Sequence, residues 1–337
     1  MKKSYLLIVG VLIITAIVMV VGWDNVYKIM SRMTLPQFIF LVILQLGTLF
    51  LTAYIWYFLL KQKSSQISLF NVFGINLAGT FVESVTPSVK IGGEALKVYL
   101  MRQKTALAYS ELTAVAVVSK YFSLLPFLLI SVITLAIALL AFNLPFFVFI
   151  AFIGLLLFFL LFFIFFNIQG FNLDTFFNNL LGEKINNSNN QVLKKIIPII
   201  NRIYTFLLDS SNASKSIVTS MKQRKILFLI AFVVWALYPV KVYLVAFMLG
   251  YQLNIVVVVL ATYTAYLVSM IPLLPGGLAT FEGSMALVLA YEGLTSAEAI
   301  SIALMTRVIT FWIPLLLSAI ITIYYIKNTD NQEGEII

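Results

Sequence analysis

Two stretches of this chain combine proline, paired glycine and a carboxylate in matching order. The first is Ser84-Val85-Thr86-Pro87-Ser88-Val89-Lys90-Ile91-Gly92-Gly93-Glu94. The second is Ser269-Met270-Ile271-Pro272-Leu273-Leu274-Pro275-Gly276-Gly277-Leu278-Ala279-Thr280-Phe281-Glu282. Both read Ser-x-x-Pro, then Gly-Gly, then Glu. A helix that begins near each Gly-Gly presents free N–H groups and the positive end of its dipole. Glycine lets a ligand reach that backbone. Two such ends meeting from opposite sides form an anion site, with phosphate as the expected occupant. The competing reading is that each Gly-Gly only permits close helix packing.

The ionisable residues within apolar surroundings are Glu83, Lys90, Glu94, Lys97, Glu111, Lys120, Lys241, Glu282 and Arg307. Such residues are costly in a membrane and usually functional. Glu94 and Lys97 are three apart and can pair on one helix face. Arg307 has too few residues on either side to reach the membrane surface, so it is expected to face the bundle interior with Glu282. Lys97 and Lys241 fall nearer predicted helix ends, where snorkelling accounts for them. Glu111 begins a span, where the helix dipole suffices. The chain has no His and no Cys, so the commonest general base, thiolate chemistry and most transition-metal ligation are excluded. There is no phosphate-binding Walker loop. No catalytic set, metal site or cofactor is expected.

These residues must be positioned by a membrane architecture. Of 337 residues, 62% are hydrophobic and only 10% are charged, against about 25% charged in soluble proteins. That excludes a soluble enzyme, a disordered chain and a nucleic-acid binder. The net charge is +9, and most of the excess lies in loops, as topogenic charge does.

A span needs about 20 apolar residues. The sequence predicts six: Tyr5–Gly22, Pro36–Leu60, Ser110–Phe142 (kinked or broken at Pro126), Phe146–Phe166, Ile226–Leu249 and Ala297–Ile326. Lys and Arg number two in 61–66, three in 97–107 and eight in 167–225, and none in 143–145 or 250–254. By the positive-inside rule the N-terminus is inside. Lys28 and Arg32, in the first outer loop, count against this. The connection 167–225 is expected to be cytoplasmic. Within it, 191–208 carries apolar residues at helical spacing with Lys194, Lys195 and Arg202 off that face. It reads as an amphipathic helix on the inner leaflet or packed on the protein's own inner face.

The two Pro/Gly-broken stretches, Ser68–Met101 and Ile255–Tyr291, sit in corresponding places of the two halves. Such segments point to a binding site near the membrane midplane. The charge pattern makes each a re-entrant hairpin, entered from opposite sides, so the halves form an inverted repeat. A pair of proline-kinked full spans is the alternative.

At these residues the sequence resembles the membrane domain of lysylphosphatidylglycerol synthases, a flippase-like family. The likeness rests on Pro87 to Gly92-Gly93-Glu94, on Pro272 to Pro275-Gly276-Gly277 followed by Glu282, and on Arg307. It covers about residues 5 to 326. It departs from the family at Lys97 and Lys120, where arginine is usual; lysine keeps the charge but loses the bidentate fork. The soluble synthase domain of full-length members is absent from this sequence. The resemblance therefore implies lipid translocation, not lipid synthesis.

The expected protein is a single integral membrane domain over residues 1–337, all-α, with six full spans and two opposed re-entrant hairpins. It is expected in the cell membrane with both termini inside. Its expected activity is moving an anionic phospholipid or polyprenyl-phosphate-linked headgroup between leaflets. The expected lipid- or anion-binding residues are Pro87, Lys90, Gly92, Gly93, Glu94, Lys97, Lys120, Pro272, Pro275, Gly276, Gly277, Glu282 and Arg307. Expected partners are membrane lipids, a separate lipid-modifying enzyme and a second copy of the chain, with no nucleic acid. Two other classes stay open: a membrane-embedded transferase or its subunit, and a small-solute secondary transporter.

Overall fold

In the computed structural model, described over residues 22–63, 67–86, 91–141, 220–270 and 274–333 with a few isolated positions, apolar runs become helices and polar residues mark their starts. Helix α1 is Trp23–Met30, and α2 is Leu35–Lys61. The N–H of Thr34 donates to Gln37 Oε1 at 2.9 Å at the start of α2. Helix α3, Leu69–Val85, is capped by Ser68 Oγ, which accepts from the N–H of Asn71 at 3.3 Å. Helices α4 (Ile91–Lys104) and α5 (Tyr109–Ala141) follow. Pro126 lies inside α5, which runs on unbroken; neighbouring helices make this tolerable in a membrane helix.

The second half repeats the pattern. Helix α6 is Met221–Met248, capped by Ser220, and α7 is Ile255–Ser269, capped by Asn254. A 3-10 turn at Pro275–Gly277 leads to α8, Thr280–Leu289. Helix α9 is Ser296–Arg307, a π-helical turn occupies Val308–Trp312, and α10 is Ile313–Glu333. No strand occurs among the described residues.

Among the described residues, four helical segments are long and apolar enough to cross a membrane: Leu35–Lys61, Tyr109–Leu140, Met221–Met248 and Ser296–Tyr324. They match four of the six expected spans. Nearly all of Tyr5–Gly22 and Phe146–Phe166, and the whole of the helix expected at 191–208, lie outside the described residues. Apolar side chains face outward along the spans, with Leu140 at 90% and Ile320 at 68% exposure. Outward apolar surface on this scale fits lipid, not water, as solvent.

Polar contacts fix which helix ends lie together. Arg32 donates to the Leu249 carbonyl at 3.3 Å and to the Tyr251 hydroxyl at 3.2 Å. The start of α2 therefore meets the end of α6. At the opposite end, Gln223 donates to Gln62 at 3.0 Å. Helices α2 and α6 are thus antiparallel. Lys63, before α3, pairs with Glu111, after α4, at 3.8 Å. The N–H of Asn254, before α7, donates to Glu292, after α8, at 3.3 Å. So α3–α4 starts and finishes at the end marked by Gln62, and α7–α8 starts and finishes at the end marked by Arg32. Arg32, awkward for the charge rule, has a structural task in joining two connections.

Packing follows the same exchange of halves. Helix α3 packs on α4 and α10, whereas α7 packs on α8 and α5. Helix α2 contacts α3, α5 and α6, and α6 contacts α7, α9, α5 and α2. Separate apolar cores serve the two ends. One joins Leu41, Val245, Ala261, Phe281 and Ile302, and the other joins Trp56, Ile75, Met101, Val115 and Ala231.

Candidate functional site

Where α3 and α4 face each other, both helices carry glycine. A Cβ on Gly93 would lie 2.2 Å from Glu83 Cγ and 2.5 Å from the Gly79 carbonyl oxygen. A Cβ on Gly79 would lie 2.4 Å from Lys97 Cε. The missing side chains let the backbones approach and seat Glu83 and Lys97 in the gap.

Those two residues belong to a four-membered ion cluster. Lys97 Nζ lies 3.0 Å from Glu94 and 3.7 Å from Glu83. Lys120 Nζ, brought in from α5, lies 2.8 Å from Glu94 and 3.7 Å from Glu83. Two cations balance two carboxylates, which is how buried charge is tolerated. Lys97 also stands over the Trp56 ring, 5.9 Å from its centroid. The Lys120 side chain is the most open of the four, at 36% exposure. Buried Glu83 Oε1 and Glu94 Oε2 have no hydrogen-bond partner among the described residues.

A second cluster lies at the start of α8. Leu278 leaves the 3-10 turn extended, and Ala279 turns the chain with φ 64, the single positive φ outside glycine among the described residues. Backbone of this kind costs about 1–3 kcal/mol and gathers at functional sites. The turn aims the first residues of α8 inward, so Glu282, in its first turn, is 1% exposed. Arg307 Nε donates to Glu282 Oε1 at 3.0 Å, and its Nη2 donates to the Gly276 carbonyl. The guanidinium lies between the rings of Phe281 and Phe311, 4.6 and 4.1 Å from their centroids. Glu282 Oε2 and Thr306 Oγ1 are buried without a hydrogen-bond partner among the described residues. The π-helical turn that begins one residue after Arg307 shifts the register that brings Phe311 over Gly276. Such turns are frequent at functional sites.

The two clusters share a seam. A Cβ on Gly276 would lie 2.3 Å from the Phe311 ring and 3.2 Å from the Ser84 carbonyl oxygen. The tip before α8 therefore touches the end of α3, one residue beyond Glu83. Gly276 and Gly277 have φ of 60 and 66, which glycine adopts without strain.

Of the residues expected from sequence to bind an anion, Glu94, Lys97 and Lys120 come together in the first cluster. Gly276, Glu282 and Arg307 come together in the second. Gly93 faces α3, Gly277 faces Ser269, and Pro275 is buried at the start of its turn. Gly92 begins α4 and is half-buried. Pro87, Lys90 and Pro272 lie outside the described residues. Neither Lys97 nor Lys241 snorkels as expected: Lys97 is 5% exposed and ion-paired, and Lys241 is 0% exposed. Glu83 is a cluster member that the motif alone does not select. Its signal is its position four residues after Gly79 on the face of α3 toward α4.

The fold and these buried charges define a multi-pass α-helical membrane protein with paired interior ion clusters. The chain belongs to the family of the lysylphosphatidylglycerol synthase TM region, which matches residues 7–318. It is similar to a UPF0104 membrane protein of Pyrococcus horikoshii, 23% identical over 96% of this chain and 97% of that one. A UPF0104 membrane protein of Methanothermobacter thermautotrophicus is 22% identical, covering 92% of each. Another, of Methanocaldococcus jannaschii, is 22% identical over 99% of this chain and 98% of its own length.

Proposed function

We propose that the protein translocates lipid, moving an anionic phospholipid or polyprenyl-phosphate-linked headgroup between the leaflets of the cell membrane. The observation that carries this reading is the meeting of two oppositely anchored helix pairs at Ser84 and Gly276, beside two clusters of buried charge. In this reading α3–α4 and α7–α8 are re-entrant hairpins of an inverted repeat with six full spans. Helix lengths support it. Helix α3 has 17 residues and α7 has 15, or about 26 and 22 Å at 1.5 Å per residue. Neither reaches across a hydrocarbon core of about 30 Å.

The headgroup phosphate would compete with Glu83, Glu94 and Glu282 for Lys120 and Arg307, with Lys90, the start of α4 at Gly92-Gly93 and the start of α8 just after the Gly276-Gly277 turn adding donors. Lys120 is the entry point, because it is the most open of the described cations in the two clusters. A headgroup ammonium or hydroxyl would supply the hydrogen bond that Glu94 Oε2 and Glu282 Oε2 lack among the described residues. Arg307 belongs to α9, Glu282 to α8 and Lys120 to α5, so relative motion of the hairpins changes which anion each cation holds.

The topology is open to test, and the chain supplies a cysteine-free background. Single cysteines at Gln62 and Lys104 are expected to react with an impermeant maleimide only from the cytoplasm. Those at Gln252 and Ser296 are expected to react only from outside. A split within either pair would remove the re-entrant arrangement. The activity itself is tested by lipid movement in vesicles carrying the purified protein, with Lys120→Met and Arg307→Met as the informative variants.

A further inference from the structure

Lys241 stands apart from the other interior cations. It is 0% exposed, in the last third of α6. Lys97, Lys120 and Arg307 each have a carboxylate partner. Lys241 has none among the described residues. Its Nζ donates to Gln45 Oε1 and, at 3.1 Å, to Thr48 Oγ1, both on α2. Its third neighbour is the ring of Tyr238, whose centroid is 4.2 Å away. Thr48 gives its own hydroxyl hydrogen to the Leu44 carbonyl at 2.9 Å, so toward Lys241 it acts as acceptor.

This set of partners suits two protonation states. A neutral amine has two N–H groups, and the two oxygens satisfy both. An ammonium has three, and the third can point at the electron-rich face of Tyr238. A buried ammonium without a counter-ion is expensive; a site that only needed packing would carry an apolar residue here. The titratable or charged groups on the elements packed against α6 are Tyr54, Tyr57 and Lys61 on α2, Tyr109, Glu111, Lys120 and Tyr121 on α5, Tyr263 and Tyr266 on α7, and Glu298 and Arg307 on α9. Neither Glu111 nor Glu298 forms an ion pair with Lys241. Glu111 pairs with Lys63, and Glu298 receives the N–H of Thr295 at 2.8 Å.

A line of rings joins Lys241 to the second ion cluster. Tyr238 packs on Tyr266 with centroids 4.8 Å apart, Tyr266 on Phe281 at 5.1 Å, and Phe281 lies under Arg307. A change of charge at Lys241 alters what Tyr238 faces, and the packed rings reach Arg307.

We propose that Lys241 is the proton-carrying group of this protein, coupling headgroup movement to the transmembrane proton gradient. The coupling half of this statement rests on the translocation reading; the proton-binding half does not. In the step itself the ammonium loses one proton and becomes the neutral amine, with no other bond made or broken. Lys241 lies eight residues before Leu249, or about 12 Å along the helix. Water at the Arg32 end receives or supplies the proton when α2 and α6 part.

The experiment has two arms. In the first, Trp23, Trp56 and Trp312 of the full chain are replaced by Phe, leaving Trp235, whose ring lies 5.3 Å from that of Tyr238. Its fluorescence is followed through the neutral and alkaline range. The expected result is a one-proton step that disappears in Lys241→Met, in Lys241→Gln and in permanently charged Lys241→Arg. Using three variants means that one misfolded protein does not end the test. A step that persists in a folded Lys241→Met or Lys241→Gln overturns the proposal. So does a signal that follows chloride and not pH, which would make Lys241 an anion site.

In the second arm, full-length protein in phosphatidylglycerol vesicles carries a trace of acyl-labelled phosphatidylglycerol, and a pH gradient is imposed. The wild-type rate is expected to change several-fold with the direction of the gradient, and that dependence is expected to vanish in Lys241→Met. Movement without gradient dependence defeats the coupling alone. No movement under any gradient defeats the translocation reading, while the first arm still decides whether Lys241 binds a proton.

Discussion

Glu282→Leu is expected to destabilise the protein by about 3–5 kcal/mol, because it leaves the Arg307 guanidinium buried without its anion. Among the described residues, the Gly276 carbonyl is then the one hydrogen-bond acceptor left to it. Arg307→Met is expected to cost less. A stranded carboxyl can take up a proton and become neutral, but a guanidinium cannot give one up. The double variant Glu282→Leu/Arg307→Met should regain most of the loss, since both charges are gone and the Phe281 and Phe311 rings can close on methionine. Thermal unfolding of the three purified proteins in one detergent checks the order. Equal losses in both single variants, or no recovery in the double, would contradict a buried pair.

Gly93→Ala is expected to cost about 1–3 kcal/mol, the usual range for overpacking. The new methyl would fall 2.5 Å from the Gly79 carbonyl oxygen, which is backbone and moves only if α3 and α4 separate. Separation would also pull Glu83 from Lys97 and Lys120. Gly47→Ala supplies the control. Nothing lies within 4 Å of a Cβ at Gly47, so that change should be neutral or stabilise by up to about 1 kcal/mol through helix propensity. The same unfolding measurement reads both, and equal behaviour of the two alanines would remove the close-packing role of Gly93.

These two results concern positions that the sequence and the structure describe differently. The pairing of Arg307 with Glu282 was legible, because an arginine deep in an apolar run has few ways to be satisfied. The four main spans were legible for the same reason: length and hydropathy leave no other stable state in lipid. The partnership of Glu83 with Lys120 was not. It joins α3 to α5 across α4, and such a contact leaves no trace in local spacing. The error at Lys241 has a definite cause. Distance from a helix end alone points to snorkelling, whereas Gln45 and Thr48, three apart within the apolar middle of α2, mark a polar face for it. In the sequence, Gly93 fits a ligand approach and a packing contact equally. Its choice between these depends on what lies opposite, and Gly79, fourteen residues earlier, sits there only because α3 and α4 fold back on each other.

The clusters also suggest how charge can move through the bundle without being stranded. Each cluster is neutral as it stands: two lysines with two glutamates, and one arginine with one glutamate. In the proposed cycle, a phosphate that takes a cation releases a carboxylate, and that carboxylate needs a donor from the headgroup or a proton. Exchange of partners keeps the low-dielectric interior close to neutral at every stage, which limits the cost of burying charge. Lys120 and Arg307 are therefore expected to matter more for lipid movement than for folding, whereas Gly93 is expected to matter for both.

The most direct measurement is lipid movement by the purified full chain in phosphatidylglycerol vesicles, read as loss of acyl-chain fluorescence when an impermeant reductant reaches the outer leaflet. Wild-type protein is expected to expose label from the inner leaflet well beyond protein-free vesicles. Folded Lys120→Met and Arg307→Met are expected to fall to the protein-free level, and Gly47→Ala to match wild type. Wild-type vesicles indistinguishable from protein-free ones, or full movement by both charge-neutral variants, would contradict lipid translocation at these clusters.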